Sequence, residues 1–459
     1  MFARSIVNTG PPERNHLVSG GAARAVVRLA LPLFVSAILQ NVQSLIDLFW
    51  IGRIGSDAVA ALALSGTILM MMFPVVLGMS VGTVALVSRF VGAERYSDAS
   101  NAAGQSLIVA FLSGIVMGLA GWRYAGDLCR LLGAAPAVAH YATEYLRVCF
   151  LGSFTVFLLF IGNSSLQGAG NTILPMRVMI LANVVNAALD PILIFGLLGL
   201  PRLEVQGAAL ATVLSQAGAA AITLSVLSAG VAGIRTGIRR WALKPALAWR
   251  ILRTGLPSSG QMLSRSLMGL VLMRIVAAHG TPAVAAYGIA LRFQMLILMP
   301  AFALGNAAAA MVGQNLGAGL PHRARAAAWL ATAMDMGIMV SVSILLMTFA
   351  PWLIRLFDET AQVVAIGTSY LRTVPPFYVF VALSIVLGRS LQGAGDTVSP
   401  MICTIVSLWG LQVPLAVALS RRVDPPTLGI WWAIALAVTV NGLLLAGWFQ
   451  TGRWKRKQV

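Results

Sequence analysis

Apolar residues in this chain come in long, nearly unbroken stretches, and the polar residues gather between them. A helix needs about 20 mostly apolar residues to cross the hydrocarbon core of a bilayer. Twelve stretches reach that length, at 26–51, 58–86, 102–122, 141–164, 175–198, 208–229, 251–278, 284–312, 327–350, 365–388, 400–419 and 429–449. Lipid offers the backbone no hydrogen-bond partner, so each stretch must satisfy its own peptide groups as a helix. The pattern predicts an all-α membrane protein with twelve transmembrane helices.

Composition narrows the function classes. Only 10% of the 459 residues are charged and 58% are hydrophobic, with a mean hydropathy of +0.86. Soluble domains carry roughly 25% charged residues, so a soluble enzyme, a disordered chain and a disulfide scaffold are all excluded. The net charge of +18 does not mark a nucleic-acid partner, because the bases lie between apolar runs and not on one solvated face. With both ends cytoplasmic, 20 of the 32 Lys and Arg fall on that side and nine on the other, leaving Arg265, Arg274 and Arg292 inside spans. That excess follows the positive-inside rule and predicts a multi-pass protein of the cytoplasmic (inner) membrane. The first apolar stretch is too long for a cleavable signal and is expected to stay as an anchor. The lipid bilayer is the expected surrounding partner, and nothing signals an obligate protein partner. Cys129, Cys149 and Cys403 lack metal-ligand spacing and read as packing residues.

The chain repeats itself. Leu166-Gln167-Gly168-Ala169-Gly170-Asn171-Thr172 returns 225 residues later as Leu391-Gln392-Gly393-Ala394-Gly395-Asp396-Thr397. Leu31-Pro32 and Leu256-Pro257, Gly92-Ala93 and Gly317-Ala318, and Tyr145-Leu146-Arg147 and Tyr370-Leu371-Arg372 keep the same offset. Two six-helix halves follow, and an even number of helices per half makes them parallel repeats about an axis normal to the membrane. The expected organisation is a tail at 1–25, an N-lobe at 26–229, a linker at 230–250 containing Pro245, a C-lobe at 251–449 and a basic tail at 450–459. The glycine-rich turns lead into Pro and a new span, so they read as tight turns and not as phosphate loops.

Acids inside spans are costly unless they are paired, neutralised or hydrated, and each is therefore a functional candidate. In helix 1, Gln40, Ser44 and Asp47 share a face at spacings of four and three; in helix 5, Asn183, Asn186 and Asp190 do so at three and four. Two polar stripes ending in carboxylates suggest one hydrated N-lobe cavity. Pro191, next to Asp190, frees a backbone carbonyl there and is a hinge candidate. A carboxylate in such a cavity can carry a proton, whereas clustered oxygens can instead dehydrate Na⁺. The repeat puts Leu272 and Leu415 where Asp47 and Asp190 stand, so ion coupling is expected in the N-lobe alone. In the C-lobe, Gln261 and Arg265 lie one turn apart in helix 7. Asp335 in helix 9 is the obvious partner for Arg265, as a structural ion pair or a gate. No nucleophile elbow, P-loop or metal constellation is visible, so an enzyme is not expected, nor is a cofactor.

Two six-helix repeats, a Leu-Pro opening each one, Asp47-x-Phe-Trp-Ile-Gly-Arg-Ile-Gly closing helix 1 and Leu-Gln-Gly-Ala-Gly-(Asn/Asp)-Thr-x-x-Pro-Met after helices 4 and 10 together resemble the multidrug and toxic compound extrusion (MATE) family. The resemblance runs from about Ala25 to Phe449. Asn186-x-x-x-Asp190-Pro191 looks most like the branch named after the DNA-damage-inducible protein F. The resemblance implies a V-shaped pair of lobes that exports small organic, cationic or amphiphilic compounds in exchange for H⁺ or Na⁺. It further implies that Asp47, Asn186, Asp190 and Thr212 hold the coupling ion, and that helix 1 bends with Pro32 as its hinge candidate. The alternative is a flippase of lipid-linked, phosphate-bearing substrates, whose basic cleft would use Arg265 and Arg274.

Overall fold

The computed structural model describes residues 16–19, 21–230, 233–237 and 244–457, so the start of the N-terminal tail, the middle of the linker and the last two residues lie outside the described part. Twelve helices long enough to cross a membrane appear among the described residues. In the first half they are α1 (Ala22–Ile51), α2 (Ser56–Gly92), α3 (Tyr96–Leu131), α4 (Pro136–Leu151 with Ser153–Gly168), α5 (Ile173–Phe195) and α6 (Glu204–Ala229). The second half holds α7 (Pro245–Ala277), α8 (Thr281–Gly317), α9 (Pro321–Arg355), α10 (Ala361–Gly393), α11 (Val398–Ser420) and α12 (Pro426–Gln450). Eleven of them, with α4 taken as one bent span, are also apolar enough to do so, and α7 is long enough but more polar. Most run a few residues beyond the apolar stretches, because the helical hydrogen-bond ladder continues into polar flanks that hydropathy excludes. α7 starts at Pro245, inside the segment expected as the linker. Proline is favoured at a helix start, where its missing N–H costs nothing.

The irregularities have local causes. A short tightened turn at Met70–Met72 precedes Pro74, whose ring excludes the helical bond to residue 70. α4 bends by 49° at Gly152, between its two segments. The repeated glycine-rich turns are built alike: Gly170 and Gly395 both have φ of +88°, a conformation that only glycine takes without strain. The Asx side chain that follows then bonds the start of the next helix. Asn171 Oδ1 accepts from the Leu174 N–H at 3.1 Å, and Asp396 Oδ1 from the Ser399 N–H at 3.4 Å.

The two halves meet through α2, which lies against α7 and α8, and through α1, which lies against α8 and α9. Their contacts repeat the sequence offset. A Cβ on Gly92 would strike the Gln314 carbonyl and a Cβ on Gly317 would strike the Arg89 carbonyl, while Ser88 fills the space left by Gly313. Each of these pairs, 88 with 313, 89 with 314 and 92 with 317, is 225 apart, so a local twofold axis passes between α2 and α8. Around it, Gln314 Nε2 donates to the Gly168 carbonyl at 2.8 Å and Arg89 Nη1 to that of Ala394 at 3.4 Å. Gln167 Nε2 adds a bond to the Asn306 carbonyl at 3.0 Å.

Both described chain ends close over this same face. Asn315 Nδ2 donates to the Leu17 carbonyl at 3.2 Å, and Arg89 Nη2 donates to the Lys457 carbonyl at 2.7 Å. The Lys457 ammonium pairs with Asp396 at 2.8 Å, and Asp396 also accepts from Ser399 Oγ at 2.7 Å and Trp448 Nε1 at 3.0 Å. Burial pushes the Asp396 carboxyl up, but Lys457, Ser399 and Trp448 outweigh it and hold the group below its ordinary value. The folded tail therefore gains stability from this carboxylate above the ordinary carboxylate range, and loses it only as pH falls through the lowered value. Asp396→Asn is expected to cost about 1–3 kcal/mol at neutral pH and to free the tail. Trypsin should then cut after Lys455 and Arg456 several-fold faster than in the wild type, and equal rates would contradict the ion pair.

Candidate functional site

In the first half, α1 packs on α5 and α5 on α6, so three helices form one polar-lined wall. Asp190 and Asn186 are completely buried in it, and Asp47 and Asn183 nearly so at 8% and 6% exposure. Asn183 Nδ2 donates to the Leu39 carbonyl at 2.7 Å and ties α5 to α1. Asn186 Nδ2 reaches both Asp190 Oδ1 and Thr212 Oγ1 at 3.4 Å, linking α5 to α6. Asp47 comes from α1 to contact Asp190 and Asn186. The four residues Asp47, Asn186, Asp190 and Thr212 thus share one pocket, with Asn183 on its rim.

What this pocket lacks is donors. Asp47 Oδ1, Asp190 Oδ2, Asn186 Oδ1 and Asn183 Oδ1 are all buried with no hydrogen-bond partner among the described residues. Two adjacent carboxylates and two amide oxygens in a water-poor site repel one another unless a proton or a small cation sits among them. The arrangement can therefore take up one positive charge and release it.

On α1 the neighbouring polar positions divide differently from expectation. Ser44 is exposed, with its hydroxyl on the Gln40 carbonyl at 3.3 Å, and Gln40 is only half-buried. Gln43, four residues before Asp47, is the buried one at 8% exposure. A spacing of four keeps the two on one face, and that was the signal available for it. α1 and α5 both run through their prolines unbroken, Pro32 buried and Pro191 half-buried. Ser36 Oγ donates to the Pro32 carbonyl at 2.8 Å, one turn on from the Arg28 carbonyl that the proline leaves without its helical donor.

The second half is basic where the first is acidic. Gln261 and Arg265 of α7 and Arg389 and Gln392 of α10 line a recess whose other wall is Leu77 and Val81 of α2. Arg389 was not foreseen here, since hydropathy ends helix 10 just before it and assigns it to the cytoplasmic face. The helix in fact continues to Gly393 and carries its guanidinium inward. The expected pair of Arg265 with Asp335 is not formed. Asp335 is fully buried on α9 with both oxygens unpartnered among the described residues, and Arg265 makes no ion pair there. The two residues are on helices that sequence spacing cannot orient toward each other. Arg274 is exposed near the far end of α7, about 13 Å along the axis from Arg265, so the two do not form one basic cleft.

The MatE family model matches the chain twice, at residues 32–192 and 257–418, and the two matches start 225 residues apart. The chain is 28% identical over 444 residues to a probable multidrug resistance protein, YoeA, of Bacillus subtilis, covering 95% of each. It is 27% identical to the probable multidrug resistance protein NorM of Thermotoga maritima, covering 95% of this chain and 94% of that one. A crystal structure of MATE in the bent conformation superposes with a TM-score of 0.89 at 27% identity, over 96% of this chain and 98% of that one.

Two substitutions separate the stitched residue from the unpartnered one. Asn183→Ala removes an interhelical bond and is expected to cost about 1 kcal/mol. Asp335→Asn breaks no pair among the described residues and removes an acid buried without compensation, so it is expected not to lower stability and to raise it by up to about 1–3 kcal/mol. Thermal denaturation of the detergent-solubilised variants checks both. A large loss for Asp335→Asn would mean that the acid has a partner.

Proposed function

The chain belongs to the MatE family of multidrug efflux transporters, and from that premise we propose that it is a secondary antiporter, exporting organic cationic or amphiphilic compounds in exchange for H⁺ or Na⁺. The observation that carries this reading is the donor-poor N-lobe pocket in which Asp47 meets Asp190. A site that must gain or lose one positive charge to stay compensated is what a coupling site requires. Asn186 and Thr212 connect that charge state to α6, and Asn183 connects it to the backbone of α1. Neutralising the pocket weakens its pull on the polar face of α1, and Pro32 and Pro191 are where α1 and α5 would yield, since each proline leaves a carbonyl without its helical donor.

In this reading the lobes are 26–229 and 251–449, and they rock about the contact between α2 and α8 so that the cleft opens to alternate sides. Both termini are cytoplasmic, in keeping with the distribution of basic residues. The face closed by Gly92, Gly317 and the chain ends is then the cytoplasmic one. Coupling belongs to the N-lobe, because Leu272 and Leu415 occupy the repeat-related positions. Four unpartnered oxygens would serve Na⁺ as well as one shared proton, so the ion is a matter for experiment. The flippase alternative is not favoured, because the N-lobe wall is acidic and Arg274 stands apart from Arg265.

Proteoliposomes loaded with a fluorescent organic cation test the proposal under an imposed pH gradient, with and without Na⁺. Wild-type protein is expected to drive exchange, and Asp47→Asn and Asp190→Asn are each expected to reduce gradient-driven flux at least about tenfold. Full exchange by both variants would sink the coupling assignment. Exchange that depends strictly on Na⁺ and ignores the pH gradient would fix the ion as Na⁺.

A further inference from the structure

The recess between α2, α7 and α10 is more than a basic patch, because its polar network is oriented and then left open. Gln261 Nε2 donates to the Pro400 carbonyl at 3.1 Å and to Thr404 Oγ1 at 2.7 Å, which turns its Oε1 toward Gln392 Nε2 at 2.9 Å. Gln392 Oε1 in turn accepts from Arg389 Nη1 at 3.2 Å. Both amide oxygens are thereby occupied by donors of the network itself. The donors left at the recess are the remaining N–H groups of Arg389, the guanidinium of Arg265 and Ser258 Oγ, while Ser384, which also lines it, spends its hydroxyl hydrogen on the Val381 carbonyl at 3.0 Å. Ser258 is 2% exposed, and its hydroxyl has no partner among the described residues.

No protein anion balances this. Neither Arg265 nor Arg389 forms an ion pair among the described residues. Two guanidiniums on neighbouring helices at membrane depth, with no counter-charge, are costly in the same way as the two carboxylates of the N-lobe. Planar guanidiniums supply paired N–H donors that match carboxylate and phosphate oxygens. Apart from Ser384, the rest of the lining is apolar. Leu77 and Val81 face the arginines from α2, and the Phe302 ring lies 5.4 Å from the Arg389 guanidinium carbon. As it stands the recess encloses about 30 Å³, room for one small polar group and not for a ring system.

We propose that Arg265 and Arg389, with Ser258, form a receptor for a single carboxylate or phosphate group on the transported compound, whose apolar body stays outside the small recess that holds the anion. The chain would thus accept zwitterionic and anionic amphiphiles, holding positive charge toward the N-lobe and negative charge on the C-lobe. This inference rests on the reading of the chain as an exporter of amphiphiles. It goes beyond that reading in the class of compound. Arg389 and Arg265 correspond through the 225 offset to Ser164 and Gln40, so the repeat holds no second copy of the receptor.

The test uses the full chain in phosphatidylcholine nanodiscs and three fluorescent probes that share one ring system: dansylglycine, its methyl ester, and the phosphate monoester of dansyl-aminoethanol. Wild-type protein is expected to bind the carboxylate and the phosphate at least about tenfold more tightly than the ester, a comparison that needs no variant. Arg265→Gln and Arg389→Gln, checked for monodispersity, should each weaken binding of the two anions roughly 10- to 100-fold. Arg265→Lys should recover part of the loss. Equal affinity of wild type for acid and ester, or anion binding untouched in both Gln variants, would overturn the proposal. Adding phosphatidylglycerol separates the two sources of phosphate: if it weakens dansylglycine binding as much as Arg265→Gln does, the site belongs to a lipid headgroup and the assignment to transported compounds falls. Binding is measured without a gradient, so a failure of antiport in proteoliposomes would leave this result standing, and the reverse also holds.

Discussion

Charge held at membrane depth must be compensated, and in this chain each lobe leaves that task unfinished. Among the described residues, the first half buries Asp47 and Asp190 together without a base, and the second brings Arg265 and Arg389 to one recess without an acid. A protein selected only for stability would pair the opposite charges or omit them, since removing one partner of a buried pair costs about 3–5 kcal/mol and apolar replacements are often neutral or better. Here the acids and the bases are kept apart by lobe. The missing counter-charges must then come from outside the protein, and a transporter is the kind of molecule in which that requirement is useful.

The duplication explains why the separation can persist. The scaffold is repeated faithfully where it carries load: Gly170 and Gly395 share one backbone angle, Asn171 and Asp396 bond the next helix in the same way, and Arg89 and Gln314 exchange contacts across the local axis. Where the repeat lines the cavities it diverges. Asp47 faces Leu272 in the alignment, Asp190 faces Leu415, and Arg389 faces Ser164. Structural positions keep the same role in both copies even where the side chain differs, as Asn171 and Asp396, and Arg89 and Gln314, show. The charged clusters at Asp47 and Asp190 and at Arg265 and Arg389 have no counterpart in the other half.

The same distinction governs how much could be read from the chain. Twelve spans were legible because membrane helices must be apolar over their whole length, and Asp47 and Asp190 stood out against that background. Legibility failed where burial depends on helix rotation or on where a helix ends. Ser44 and Gln43 are adjacent in sequence, and a period of 3.6 residues allows either to share a face with Asp47; packing of α1 against α5 chose Gln43. Arg389 sits where a hydropathy window drops, although the helix continues past it and turns it inward. Asp335 and Arg265 were paired by elimination, but charge complementarity says nothing about which faces of α7 and α9 oppose each other.

The closed face shows how a small change of charge could move large bodies. Gly92 and Gly317 each accept the other repeat's carbonyl at a distance no side chain permits, and Leu17 and Lys457, near the two ends of the described residues, are tied over the same junction by Asn315 and Arg89. Contacts this close are lost together as the helices separate, because two backbones cannot part slightly at one glycine and stay packed at its symmetry mate. Close-packed interfaces of this kind favour two arrangements over a continuum. The lobes therefore need a bias only large enough to tip one arrangement against the other, and a ligand supplies no more than its difference in affinity for the two. Compensating one charge in the N-lobe and one in the C-lobe recess gives two such biases. The two clusters lie in different halves of the repeat, on either side of its local axis.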